Sequence, residues 1–549
     1  MELYEPIDDN LQENVDQSIR QVPGRKTRNF VLAILIIAPF AIGLLAVVLG
    51  QDANWDLRNY HWYNAYAFLN GRFGFDLLPS QTPYFYNPTI DVPFYLLATH
   101  VSAFLAQYIL GVVQGLNFIL LFMLAYSVLV WPNFSQKVIV CILLATIGML
   151  GGLGISLLGT TYYDNVTSIG LFLSILLIVH YGERFLTVRL ASSLGRGFLF
   201  GIPMGLMVGL KLPSMLYCPG LCLALALTAG PLKRRLFISI AFGLGILFGA
   251  GVSLGHWALF LQSHYGSPLF PFFNNYFKSP LAPLTSARDA QFMPANFKEF
   301  VLYPYIFSNN SLRIGENIWC DWRLAILYTL LPIALLVRLV AGSDPVALSM
   351  PYATRYLLWW AAISYLVWLV MFSIGRYAVP LEMMAPLLIV VSAGIIPLKI
   401  INRVMLAGLL LLIIVVTVRP GNWDRRTNWL DHTVEVEIPP LGDTSDLMIL
   451  MAGNEPYSDI IPEFPPEIPF VRIQSNFGSL YEEKPFNKLV RERVESHRGR
   501  ILLLIPPDQK KDAIRTLPYL HLSLVSEPCD IVVDRLHDNW KLELCKIRR

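Results

Sequence analysis

The sequence predicts a polytopic α-helical membrane protein with about 11 transmembrane helices and a small α/β or α+β domain at its C-terminal end. Three observations carry that prediction. Hydrophobic residues make up 55% of the 549 and charged residues only 15%, with a mean hydropathy of +0.51, which is too apolar for a soluble globule of this size. Apolar runs of about 20 residues recur, each long enough at 1.5 Å per residue to cross a bilayer core. Beyond Pro420 the composition turns mixed. The formal net charge is +3, and the basic residues are scattered at the ends of apolar runs, so a nucleic-acid partner is set aside.

The first segment, residues 1–28, is polar, acidic at first and then basic, and reads as a cytoplasmic, mobile tail. The apolar run behind it is too long for the core of a signal peptide. Arg20, Arg25, Lys26 and Arg28 place this end in the cytoplasm by the positive-inside rule, with the Asp52/Asp56 loop on the other side. Spans are expected at roughly 29–50, 112–131, 138–157, 164–181, 196–211, 213–230, 236–262, 323–341, 355–374, 377–397 and 402–418. Basic clusters at Arg184, Arg189 and Arg196, at Lys233, Arg234 and Arg235, and at Lys399 and Arg403 then share the inner side. That parity excludes residues 92–110 as a span. The stretch holds Pro93, His100 and Gln107 and is expected to lie in the interface or to dip in and return.

The resulting plan has a membrane domain over 29–418, outer loops over 51–111 and 263–322, and an outer-face domain over 419–549. In the latter, strand-like runs fall at Leu447–Met451, Arg500–Ile505 and Asp530–Val533, with a basic helical stretch around Asn487–His497. Cys141, Cys218 and Cys222 lie in spans and read as small apolar residues. Cys529 and Cys545 flank two strand-like runs, where a disulfide is chemically allowed in an exported domain. No Cys/His set has metal-ligand spacing.

Candidate chemistry begins in the acidic, aromatic stretch Gln51–His61, directly after the first apolar run. Asp56 is followed by Tyr60, Ala65, Ala67 and Asn70-Gly71-Arg72, a helical pattern expected along the membrane surface. A carboxylate there can deprotonate a hydroxyl; equally, Asp52 and Asp56 can cap that helix. Arg58 and His61 stand beside them as candidate substrate contacts. Lys211 interrupts an apolar hairpin and Arg376 lies at another break between spans, both on the outer side. Either suits a phosphate, and either can instead snorkel to headgroups. Asp164 opens a span, as a cap or a substrate contact. Glu382 lies inside an apolar run, where an unpaired carboxylate is costly, so it is expected to pair with a base or to meet substrate. Glu316, with Arg313 and Asp321, completes the candidates in the long loop.

The run Asp56-x-x-x-Tyr60, the helix ending in Asn70-Gly71-Arg72, and Pro83-Tyr84-Phe85-Tyr86-Asn87-Pro88 leading into Val92-Pro93-Phe94-Tyr95 together resemble the first outer loop of GT-C type glycosyltransferases. Protein mannosyltransferases and the aminoarabinose transferase of lipid A belong to that superfamily. The Gly209-Leu210-Lys211 break is similar to the lysine turn of these enzymes, and Tyr265-Gly266-Ser267-Pro268-Leu269-Phe270 is similar to a segment of bacterial members. The resemblance spans most of the membrane part and none of the C-terminal domain. It implies an inverting transferase in a bacterial inner membrane. The sugar would pass from a polyprenyl-phosphate-linked donor to a hydroxyl of a glycan, lipid or protein acceptor, with Asp56 as base and Arg376 near the lipid phosphate. No cofactor is implied. Many relatives carry adjacent acids, whereas Asp52 and Asp56 are four apart, which leaves open which is the base and whether a divalent cation is held. Rival readings are a lipid-linked sugar transporter or flippase, for which the sequence has no inverted repeat, an O-antigen-type polymerase, and a non-catalytic scaffold.

Overall fold

A computed structural model describes residues 25–131, 133–285, 289–341, 350–525 and 528–549. Most of the expected N-terminal tail, residues 1–24, lies outside the described residues.

Among the described residues nine helices are long and apolar enough to cross a membrane: Arg28–Val48, Ala103–Val128, Asp164–Tyr181, Leu190–Leu210, Leu232–Tyr265, Arg323–Ala341, Tyr352–Met371, Gly375–Ile395 and Ile400–Thr417. Two shorter apolar helices, Phe134–Met149 and Leu212–Leu227, bring the set to the eleven positions read from the sequence. Several boundaries differ; the third helix, Phe134–Met149, ends well before the expected 157. The second long helix begins at Ala103, well before the expected 112, because Ser102 accepts a hydrogen bond from the Leu105 amide and starts the helix there. The stretch 92–110 is therefore divided between a short helix, Val92–Ala98, and the first turns of this span. Gln107, which argued against a span, is buried and saturated: Nε2 donates to the carbonyls of Ala46 and Gly50 at 2.8 and 2.7 Å, and Oε1 accepts from the Asp52 amide at 2.8 Å.

Close helix packing rests on small residues. Gly201 and Gly205 of the helix Leu190–Leu210 face Leu232–Tyr265 so tightly that a Cβ would run into the carbonyls of Phe242 and Ile246. Gly245 and Gly249 meet the carbonyls of Phe198 and Ile202 in return. Without a hydrophobic drive between helices in lipid, such backbone approach supplies the dispersion contact that holds the pair. The pair fixes the base of Lys211, the next residue along.

The first loop forms strand β1 (Gln51–Asp52), a π-helical turn over Leu57–His61 and the helix Trp62–Leu69. Strand β1 pairs antiparallel with β2 (Arg425–Arg426), just past the last span. The remaining strands are β3 (Val436–Glu437), β4 (Leu447–Met451), β5 (Phe470–Arg472), β6 (Arg500–Ile505), β7 (Ser523–Leu524), β8 (Asp530–Asp534) and β9 (Trp540–Arg548). They form one sheet in the order β3-β8-β9-β6-β4-β5, with β7 on β9. Strand β4 runs parallel to β5 and β6, and the other pairs are antiparallel. Leu447–Met451 is buried throughout, as a strand covered on both faces must be, which is why it reads as an unbroken apolar run. The helix Phe486–Ser496 buries Phe486, Val490 and Val494, one stripe at four-residue spacing. Cys529 and Cys545 are joined in a disulfide.

The helix after Asp56, expected on the membrane surface, is instead interior: Tyr63, Ala65 and Ala67 are fully buried. The C-terminal sheet domain covers it. Leu77 adds to the edge strand β5, its amide donating to the Phe470 carbonyl and its carbonyl accepting from Arg472, each at 2.9 Å. Arg72 pairs with Asp76 at 2.6 Å and also donates to the carbonyls of Pro466 and Ile468. Tyr63, Leu77, Tyr84 and Phe85 share one apolar core with Ile449, Val471 and Leu503.

Candidate functional site

Four charged side chains meet where the first loop, two span breaks and one helix start come together. Asp56 stands at the entrance of the π-turn, and its side chain makes no cap to the backbone. Asn54 does the capping, accepting from the Leu57 amide at 2.9 Å. Asp56 instead accepts from Arg376 Nη1 at 2.9 Å and from the Tyr60 hydroxyl at 3.1 Å. The π-turn that aligns Asp56 with Tyr60 is a feature often found at functional sites.

Arg376 comes from the turn Gly375–Ala378 between two spans. The Gly375 amide donates to the Ile314 carbonyl, and a Cβ at Gly375 would stand only 3.0 Å from that oxygen. The guanidinium lies 4.2 Å from the Tyr162 ring centre and 5.6 Å from that of Trp423, so aromatic faces cover it. Its Nε is buried without a partner.

Lys211 has extended backbone (φ −142°, ψ 98°) between the helix Leu190–Leu210 and the turn Leu212–Tyr217. Its ammonium sits 2.8 Å from Asp164 and donates to the Tyr162 carbonyl at 2.5 Å. Tyr163, at φ +61°, turns the chain so that Asp164 opens the helix Asp164–Tyr181 facing Lys211. Tyr162 thus serves both cations, by its ring and by its carbonyl. The side chains stay slightly open: 17% for Arg376, 13% for Asp56, 14% for Lys211 and 7% for Asp164.

Electrostatics fix the state of the acid. Burial by itself raises the Asp56 carboxyl, but Arg376, then His61 and Lys211, outweigh it and hold the group below its ordinary 3.8. Asp56 is a carboxylate at neutral pH. Next to it, His61 Nδ1 lies 2.6 Å from Asp91, both residues buried, and His61 Nε2 has no partner. Burial raises the Asp91 carboxyl against the opposing pull of His61.

The other sequence candidates stand elsewhere. Asp52 accepts from Asn54 N and Nδ2 and from Thr161 N and Oγ1, four bonds that tie the first loop to the turn before Asp164. Arg58 points away from Asp56, donating to the Ala53 carbonyl at 2.9 Å and lying 3.5 Å from Asp424. Glu382 accepts from the Leu153 and Gly154 amides at 2.9 and 2.7 Å, and Asp321 accepts from Gly152 and pairs with Arg323 at 2.8 Å. That cluster pins the short helix Gly152–Ser156, and none of its bonds reaches Asp56, Lys211 or Arg376. Glu316 is exposed in its loop. Asp56 and Asp164 each already face a cationic side chain. Among the described residues the grouping with metal-ligand proximity is Cys529, Glu543 and Cys545, and both of its sulfurs are in the disulfide.

Sequence reasoning missed Asp91, Tyr162 and Trp423. A lone acid in the apolar stretch Ile90–Pro93 was the signal available for Asp91. Trp423 follows the last span by a few residues and looks like any interfacial tryptophan.

No family model matches the chain, and no curated protein matches its sequence. In structure the chain is similar to the oligosaccharyltransferase of Archaeoglobus fulgidus in its apo form, with 12% identity and a TM-score of 0.46, over 90% of this chain and 72% of that one. It is also similar to ArnT from Cupriavidus metallidurans bound to undecaprenyl phosphate, with 12% identity and a TM-score of 0.40, over 95% of this chain and 98% of that one.

Proposed function

We propose that this protein is a membrane-embedded inverting glycosyltransferase of the GT-C type, taking a sugar from a polyprenyl-phosphate-linked donor to an acceptor hydroxyl at the outer face of the membrane. The observation that carries the reading is the meeting of Asp56 with Arg376 at 2.9 Å next to the Lys211–Asp164 pair, all at the ends of spans. A base and two cations gathered where spans end suit a phosphate that leaves and a hydroxyl that attacks. The acceptor oxygen bonds to the anomeric carbon and passes its proton to Asp56, while the bond from that carbon to the phosphate oxygen breaks with its electron pair on the phosphate. Lys211 and Arg376 stabilise the charge developing there, and alignment supplies the rest of the rate. The C-terminal domain, lying over the first loop, frames the acceptor side.

Purified protein in proteoliposomes, given a panel of polyprenyl-phosphate sugars labelled in the sugar, tests the reading. Transfer to added acceptor or to water with release of polyprenyl phosphate is expected from at least one donor. Movement of intact donor between leaflets without loss of its sugar would establish the transporter reading instead.

A further inference from the structure

The charges of the site balance: Asp56 and Asp164 against Lys211 and Arg376. As it stands the site has no spare positive charge for a phosphate, so one carboxylate must release its cation when the donor arrives. The two pairs are not held equally. Lys211 is ion-paired with Asp164 at 2.8 Å and also donates to the Tyr162 carbonyl at 2.5 Å. Arg376 gives a single N–H to Asp56, and its buried Nε has no partner. Asp56 also keeps a second bond, from Tyr60, that survives the loss of the first.

We propose that Arg376 is a shared positioning residue, holding Asp56 while the site is free of donor and passing to the donor phosphate on binding, so that Asp56 becomes an effective base only when a donor is in place. The inference rests on the function proposed above. Arg376 stays seated between Tyr162 and Trp423, so the exchange needs a change of partner and no large movement of the arginine. Tyr60 keeps Asp56 aimed after the exchange. With no donor bound, the guanidinium quenches the base. With donor bound, the phosphate takes up that charge and the carboxylate regains its proton affinity.

The test is binding of a long-chain polyprenyl monophosphate to the purified full chain in detergent. If the carboxylate competes with the phosphate, Asp56→Asn and Asp56→Ala bind about tenfold more tightly than wild type, the scale of one charge-assisted contact. In an Arg376→Gln background, Asp56→Asn no longer tightens binding. Equal or weaker binding by both Asp56 variants overturns the exchange, as does tightening that persists without Arg376, which would reflect general removal of negative charge. A wild-type protein that transfers sugar and binds the lipid phosphate, with no tightening in the variants, defeats the exchange alone. A wild-type protein that binds no polyprenyl phosphate defeats the proposed function as well.

Discussion

Asp56 is asked to be both ion-paired and basic, and the pairing sets how its activity responds to pH. Arg376, His61 and Lys211 hold its carboxyl below the ordinary 3.8 despite burial. The acid limb of kcat/KM, which reports the free enzyme, therefore falls below the usual aspartate range, and Arg376→Gln moves it upward. A measured limb that stays put in Arg376→Gln would separate the two residues functionally. The sign for stability follows from the same depression: the pair stabilises the fold above the unfolded value and loses that contribution as the pH falls through the lower folded value. Asp56→Asn keeps the shape and the Tyr60 bond but no longer takes a proton, so turnover is expected to fall by about 100-fold or more, beyond the loss of thermal stability that follows from breaking the Arg376 pair. Asp52→Asn is expected to act chiefly on stability, since its carboxylate accepts four bonds inside the fold. Loss of turnover at position 52 with normal unfolding would transfer the base role to Asp52.

At the scale of elements, two contacts position the site from a distance. Gly205→Val puts side-chain atoms against the Ile246 carbonyl, backbone that cannot step aside, and should cost about 1 to 3 kcal/mol. Because Lys211 follows that helix directly, weaker donor binding should accompany the lower unfolding temperature. Arg72→Ala leaves Asp76 buried and unpaired and is expected to destabilise by about 3 kcal/mol or more, read by thermal unfolding in detergent. The spans and the strands β4 and β6 were legible because lipid-facing helices and doubly covered strands both appear as unbroken apolar runs. Strand β9 was not: its Lys541, Glu543 and Lys546 break the run, and its pairing with β6 and β8 is decided by segments far away in sequence. The same holds for the site. Asp56, Lys211 and Arg376 each stood out as charges at span ends, but their partners were set by folding across 320 residues between Asp56 and Arg376, which leaves no local pattern.

For the whole molecule, the first loop and the C-terminal sheet share one core and so must share one side of the membrane. Cysteines placed at Asn70 and Lys488 should both react with an impermeant maleimide from the same side, and reaction from opposite sides would break the fold described here. The Cys529–Cys545 disulfide closes a loop over a separation of 16 residues, worth about 3 kcal/mol in the chain-entropy account. Non-reducing peptide mapping of membrane-purified protein should find it intact if this domain is exported.

The turn that carries Asp56 is finished by residues made much later. Ser458 and Asp459 both donate their amides to the Arg58 carbonyl, and Arg72 reaches carbonyls 394 and 396 residues further along. A ribosome adding about 5 to 20 residues per second needs roughly 20 to 80 seconds to bridge that interval. In the last part of it, once synthesis has passed Thr417, a nascent chain already holding every membrane helix still has its first loop without the β5 edge that Leu77 joins. Such a chain should hold no active base and consume no donor. Chains stopped near Thr417 should insert normally, leave the loop open to protease and show no turnover, while protection of the loop in a pulse-chase should appear only after synthesis has passed Arg472.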